Sequence, residues 1–265
     1  MVITTLFFTS CEEVIKVELD TSSPKLVIEA AINWEKGTTG NEQKIKLTTT
    51  TDFYTNKVPA VSNATVFITN SVNIIFNFTE ILNTGEYVCK NFVPVLNEQY
   101  SLTVISNGTT YTATESLKPV ANIINVVQNN TGGITGKDLS VNVNYIDPVN
   151  EKNFYLYKYK YSNQIKPDLY VDEDVFFNGN PFFSNSFNNK LKVGDIINIT
   201  HTGISKSYYN YLSVLLSVAG NSNGGPFQTP PVTIRGNIIN NTNQDNFPFG
   251  YFSLSETESR IFTIQ

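Results

Sequence analysis

Two β-rich runs, Tyr100-Ser101-Leu102-Thr103-Val104-Ile105-Ser106 and Thr109-Thr110-Tyr111-Thr112-Ala113, are separated only by Asn107-Gly108. Asn and Gly tolerate the positive φ angles of a type I′ turn, whose twist matches that of two paired strands. The pattern predicts an antiparallel hairpin with Asn107-Gly108 at its tip. Five further short runs precede it, over residues 25–32, 44–48, 64–68, 73–78 and 86–89. Short strands at this density, divided by turns, predict a β-sandwich of immunoglobulin or transthyretin type over residues 24–118. Composition agrees: hydrophobic residues make up 40%, charged residues 15%, and there are 14 Tyr and 18 Phe, which is strand-forming chemistry on a weakly charged surface.

Pro119 marks a boundary, and a second β-rich unit is expected over residues 119–265. Leu139, Val141, Val143 and Tyr145 alternate with polar residues and stop at Asp147-Pro148. In Phe154–Tyr161 the period of two puts Tyr155, Tyr157, Tyr159 and Tyr161 on one face and Phe154, Leu156, Lys158 and Lys160 on the other. Later strands are expected over 195–200, 233–237 and 250–254. One short helix interrupts them, with Ser205 as its cap, a stripe of Tyr208, Leu212, Leu215 and Ala219, and Gly220 at its close. The fold class is therefore all-β: an immunoglobulin/transthyretin-like β-sandwich followed by a second β-rich, sandwich-like domain with one short helix.

The start of the chain concerns address rather than fold. Leu6-Phe7-Phe8-Thr9-Ser10-Cys11 is an apolar run that ends in small residues and a thiol, and Glu12 and Glu13 follow. Bacterial lipoprotein signals end this way, with the cysteine becoming the acylated N-terminus. Ten residues precede Cys11 and none is basic, so residues 1–11 read as a partial signal with Cys11 as the lipidation site and 12–23 as a tether. The competing reading is a buried cysteine on a first strand. A lipid-anchored domain is held at the bilayer without spanning it.

Charge and residue inventory exclude several functions. With a net charge of −5 and only Arg235 and Arg260 as arginines, a phosphate-binding face for nucleic acid is not expected. His201 is the only histidine and lies in no Gly-x-Ser-x-Gly context, so a hydrolytic triad is not expected and the chain reads as non-enzymatic, without cofactor. Cys89 alternates like a strand residue and reads as a small core filler. Asp172, Asp174 and Asn178 beside Gly179 are a weak Ca²⁺ candidate whose spacing is not that of an EF-hand loop, and a solvated acidic turn is preferred. The same segment carries Phe176, Phe177, Phe182 and Phe183, the first candidates for contact with a partner or ligand, because function concentrates on loops held by a rigid scaffold. The Asn221–Phe227 loop is a second candidate.

Several motifs in this order resemble a known family: Cys11-Glu12-Glu13, Lys25-Leu26-Val27-Ile28-Glu29, residues 59–66, the hairpin from Tyr100 to Ala113, Tyr145-Ile146-Asp147-Pro148, Asn153-Phe154-Tyr155, Phe177-Asn178-Gly179-Asn180, Leu191-Lys192-Val193-Gly194-Asp195 and Phe249-Gly250-Tyr251-Phe252. Together they resemble a family of Bacteroidetes outer-membrane lipoproteins, domain of unknown function 4249. Its members are often encoded beside TonB-dependent outer-membrane transporters. The resemblance implies an accessory, non-enzymatic role in nutrient uptake, either binding substrate or docking onto such a transporter, and it carries over no catalytic residue. The acidic pair after Cys11 also looks like a surface-export signal, which implies an outer-membrane anchor facing the cell exterior. The alternative is a structural or adhesive cell-surface protein without a transport role.

The hairpin yields a direct test. Gly108→Val places a β-branched residue at a positive φ, so thermal or chemical unfolding should report a loss of roughly 1–3 kcal/mol. Unchanged unfolding would mean that the chain does not turn there.

Overall fold

The computed structural model describes residues 23–52, 55, 57–132, 138–188, 190–219 and 233–265. The first half contains seven strands: β1 (Leu26–Glu35), β2 (Gln43–Thr49), β3 (Thr65–Asn70), β4 (Ile75–Ile81), β5 (Glu86–Cys89), β6 (Gln99–Ser106) and β7 (Thr109–Ser116). The β6–β7 hairpin forms as the sequence predicts, with Val104 opposite Tyr111 and Ser106 opposite Thr109. Asn107 and Gly108 turn at φ 49° and 75°. Strand β4 pairs with β3 through Ile75 and with β5 through Ile81, so it forms the corner at which the sheet folds over itself. The enclosed core joins Ile28, Ile32, Leu47, Ile68, Phe76, Tyr100 and Leu102. Cys89 is a free, buried thiol in this core, and burial raises its pKa.

The second half contains β8 (Ile123–Gly132), β9 (Asp138–Ile146), β10 (Phe154–Tyr161), β11 (Asp168–Glu173), β12 (Pro181–Phe187), β13 (Ile196–Ile204), α1 (Lys206–Ala219), β14 (Ile239–Asn240) and β15 (Phe249–Thr263). Strands β12-β9-β8 form one sheet, and β11-β10-β13-β15 continue into the strands of the first half. The tyrosines of β10 face inward and are all buried. The opposite face, through Phe154 and Leu156, supports α1 by way of Leu212, Tyr209 and Leu215. Ser205 caps the helix, its Oγ accepting from Tyr208 N at 3.2 Å. The chain is therefore all-β with one helix, built as sandwich-like layers.

The last strand departs from the sequence reading in length and in partner. Residues 233–237 form no strand, and the expected strand at 250–254 extends to Phe249–Thr263. Its first nine residues pair in parallel with β1, Phe249 opposite Val27 and Thr257 opposite Glu35. Its remainder pairs antiparallel with β13, Thr263 opposite Ile196. Phe252, Leu254 and Ile238 belong to the core of the first half, and β14 extends β7. A division at 118/119 therefore does not separate the two cores: residues 233–257 return to complete the sandwich that residues 24–118 begin. The periodicity signal is lost in β15 because Tyr251–Glu258 are buried on both faces. Gly250 is required here, since at φ 100° a Cβ would lie 2.0 Å from Ile28 O.

Two buried carboxylates hold the junction between the halves. Glu256 Oε2 accepts from Val120 N at 2.9 Å and lies 3.6 Å from Lys36 Nζ, which itself donates to Val120 O at 2.7 Å. Glu258 Oε2 accepts from Ile123 N at 2.9 Å, while its other oxygen pairs with Arg260. The main chain between the cores is thus bonded at both ends. Glu256→Ala should lower stability by roughly 1.5–3 kcal/mol in chemical unfolding, since a charge-assisted acceptor is lost inside the fold. Glu86→Ala, which breaks the exposed pair with Lys44, should cost less than about 1 kcal/mol.

Candidate functional site

Strand β10 supplies the inner wall of the second half and its polar network. Tyr145 and Tyr157 share a hydroxyl–hydroxyl hydrogen bond, Tyr155 donates to Asp147 Oδ1, and Tyr159 donates to Ser184 Oγ at 2.7 Å. Burial raises the pKa of all four phenols and keeps them neutral donors. Asp147 also accepts from Gly179 N at 3.1 Å, and burial raises its carboxyl pKa. The turn after β9 is thereby tied to the loop between β11 and β12.

The same loop is pinned a second time by Asp174. Its side chain accepts from Asn153 N at 2.8 Å and from Asn178 Nδ2 at 2.9 Å, and its carbonyl accepts from Phe177 N and Asn178 N. Asn178 therefore turns its amide nitrogen, not its oxygen, to Asp174. Asp172 sits apart, opposite Tyr155 in the β10–β11 ladder and half-buried, with its pKa raised by burial. The three residues of the weak Ca²⁺ candidate do not converge on one point. Among the described residues no group of three or more acidic, His or Cys side chains gathers to hold a metal.

The four candidate phenylalanines divide into two pairs. Phe177 is 6% exposed and stacks on Phe182 at 3.7 Å between centroids, both resting against Tyr145. Phe177 is thus a core residue, and Phe182 is half-buried against the same core. Phe176 is 96% exposed and Phe183 47%. Phe183 alternates with Phe182 and Ser184 along β12, but its ring stays stacked on Phe182 at 5.9 Å; at the single turn Asp174–Phe176, Phe176 is exposed while the next residue, Phe177, is buried. Ile146, Val149 and Val175, on the turns and strand end nearby, are each more than half exposed. Ile146 is opposite Pro181 across the ladder, and Val149 stands against Gly179. Sequence reasoning missed Ile146 and Val149, because each sits at a turn where no periodicity marks a face. Cys11 and the Asn221–Phe227 loop lie outside the described residues.

His201 is walled into the core. It is 0% exposed and stacks on Tyr157 at 5.1 Å, with Tyr145 and Tyr155 around it. Neither ring nitrogen has a hydrogen-bond partner among the described residues. Burial, with the Lys36 ammonium adding to it, lowers the imidazole pKa to about 3. A base in that position does not reach a substrate on the surface.

A second concavity, of about 650 Å³, lies between α1 and the outer face of β1 and β15. Tyr208, Tyr211, Leu212 and Leu215 form one wall, and Val27, Glu29, Phe249 and Tyr251 the other. Tyr208 and Tyr211 pack on Tyr251 at 4.6 and 4.8 Å. Glu115 anchors the helix start by accepting from Ser205 Oγ at 2.8 Å and Ser207 Oγ at 3.2 Å. Among the described residues no helix is long and apolar enough to cross a membrane.

A family model described as Domain of unknown function (DUF4249) matches residues 12–261. The chain belongs to the DUF4249 family. A comparison with curated proteins finds no match. Among solved structures, this DUF4249 chain is similar to a cytokine receptor complex at 8% identity and TM-score 0.28, covering 69% of this chain and 86% of that one. It is similar to a two-domain fibronectin type III segment of chicken tenascin at 11% identity and TM-score 0.23, covering 68% and 90%. A DUF4785 family protein from Legionella pneumophila gives 9% identity and TM-score 0.27, covering 68% of this chain and 51% of that one. At these scores the likeness adds nothing to the topology already described.

Two measurements follow. Phe177→Ala should cost roughly 3–5 kcal/mol of stability, whereas Phe176→Ala should leave thermal unfolding unchanged. The depressed His201 pKa sets a pH dependence as well: the unfolded chain takes up a proton below about pH 6.5, and the folded chain only near 3. His201 should therefore remove stability as pH falls between those values, by at most about 1.4 kcal/mol per pH unit. The difference in unfolding free energy between His201→Phe and the parent, followed with pH, should contain that slope.

Proposed function

We propose that this protein is a non-enzymatic, lipid-anchored outer-membrane protein of Bacteroidetes. It docks onto a TonB-dependent transporter during nutrient uptake, through a protein-binding patch on its second half. The observation that carries the reading is the set of exposed apolar residues Ile146, Val149, Val175, Phe176 and Phe183, on and beside turns that Asp147 and Asp174 fix in place. A large apolar surface held rigid loses little conformational freedom on binding, which favours a protein interface. The burial of His201 supports binding rather than hydrolysis. The apolar run before Cys11, and the resemblance to outer-membrane lipoproteins, support the anchor and an orientation toward the cell exterior. β1 starts beside the Asn107-Gly108 turn, at the end of the first sandwich remote from the junction.

Detergent-solubilised outer membranes of the native host, passed over the immobilised full chain, should yield a β-barrel transporter. Phe176→Ala and Phe183→Ala should each weaken its retention at unchanged thermal stability. With the native leader in place, the protein should partition into detergent, and Cys11→Ala should release it. Turnover of a glycan or peptide that His201→Ala abolishes would overturn the reading.

A further inference from the structure

Among the described residues the two sheets end in four strands, and three are unsuited to pairing. β14 has two residues. β11 carries Asp168, Asp172 and Glu173. β8 is interrupted by register shifts at Ile123/Asn125 and Asn129/Gly132, and its Gln128 is tied to Gln265 by hydrogen bonds of 3.1 and 2.9 Å. Charge, shortness and bulges are the ordinary means by which proteins keep sheet edges from recruiting other chains. β12 has none of them. It runs Pro-Phe-Phe-Ser-Asn-Ser-Phe without a charged side chain, and pairs with β9 in unbroken register from Pro181↔Ile146 to Phe187↔Ser140.

The ladder also determines which main-chain groups face the open side. Asp147 N donates to Asn180 O at 3.1 Å, while Asn180 N turns to Phe177 O at 2.8 Å, so the Asn180–Asp147 position is one whose facing groups bond across the ladder. In an antiparallel ladder such pairs alternate with pairs that turn their groups away. Phe182, Ser184 and Ser186 therefore bond to β9, while Phe183, Asn185 and Phe187 direct both N–H and C=O outward. Among the described residues no strand pairs with β12 on that side. Donor and acceptor recur every second residue, roughly 7 Å apart, a spacing that another extended main chain matches. Pro181, the first residue of the strand, has no N–H and confines pairing to Phe183 and beyond.

We propose that β12 is an open edge that takes up an extended segment of a partner protein as an added strand, Phe183 and Asn185 bonding it through their main chains. The inference rests on the reading of the Phe176–Phe183 region as a protein-binding patch, and names what it binds. Phe183 and Ile146 stand on the outer face beside this edge, so the incoming strand carries a β-branched or aromatic residue there. Glu151 and Glu173 outweigh Lys152 on the exposed surface near the Pro181 end, so a basic residue of the partner belongs at that end.

The probe is a short capped peptide of alternating threonine and valine with one terminal arginine, titrated into the full chain. Amide exchange by NMR should slow at least roughly tenfold at Phe183 and Asn185 and stay unchanged at Phe182 and Ser184, whose amides are already bonded. Asn185→Pro deletes an outward N–H and leaves the β9 ladder intact. Asn185→Lys places a charge on the edge. Both should lose the peptide at near-parental thermal stability, and if the proline variant fails to fold, the lysine variant decides. Absent protection at Phe183 and Asn185 under saturating peptide, or equal binding by Asn185→Lys, overturns the proposal. A concentration-dependent dimer in analytical ultracentrifugation that Asn185→Lys abolishes would assign the edge to a second copy and also overturn it. If the peptide protects β12 while no β-barrel is retained from outer membranes, the edge stands and the transporter reading falls. Retention of a β-barrel that Phe176→Ala weakens and Asn185→Lys does not gives the reverse.

Discussion

Strand β15 is the constraint on which the rest of the structure depends. At 15 residues it spans about 50 Å, pairing with β1 over its first nine residues and with β13 over its remainder. Its first part belongs to one sandwich and its last part to the other. A hinge between the two cores would have to break this strand or tear it from a neighbour. Glu256 and Glu258, which bond the crossing main chain of residues 118–123 to the same strand, raise the cost of such a break further. Two compact cores would otherwise be expected to move relative to each other. Here one strand makes them parts of a single sheet.

The second core is unusual in what it encloses. Five tyrosines and the one histidine occupy positions where aliphatic residues would pack more simply. A buried hydroxyl costs stability unless it finds a partner, and the Tyr155–Asp147 and Tyr159–Ser184 bonds supply such partners. These bonds have a structural consequence beyond their own energy. Asp147 links the tyrosine wall to Gly179, so the loop that bears Phe176 is positioned by the core itself. The exposure of Phe176 and Phe183, the burial of Phe177 and the half-burial of Phe182 belong to one packing arrangement.

Much of this was legible in the sequence, and the physical reasons are local ones. Alternation placed the four tyrosines of β10 on one face, Asn107-Gly108 marked a hairpin tip, and Ser205 with a stripe of Tyr208, Leu212 and Leu215 marked the helix. Each rests on interactions within a few residues. Family membership was legible as well, through the order of motifs across residues 12–261.

Tertiary structure alone decided the rest. The polar run Ser253-Leu254-Ser255-Glu256-Thr257-Glu258 does not read as a central strand, because its carboxylates are stabilised by main-chain donors and a lysine more than a hundred residues away in the chain. The return of residues 233–257 to the first core has no local signature. Nor does the division of four neighbouring phenylalanines into one buried, one half-buried and two exposed, which the packing of Phe177 and Phe182 on Tyr145 settles. Strand period and turn chemistry act over a few residues and are written in the sequence. Which strand becomes an edge, and which apolar residue is left without cover, depends on the neighbours that the completed sheet provides.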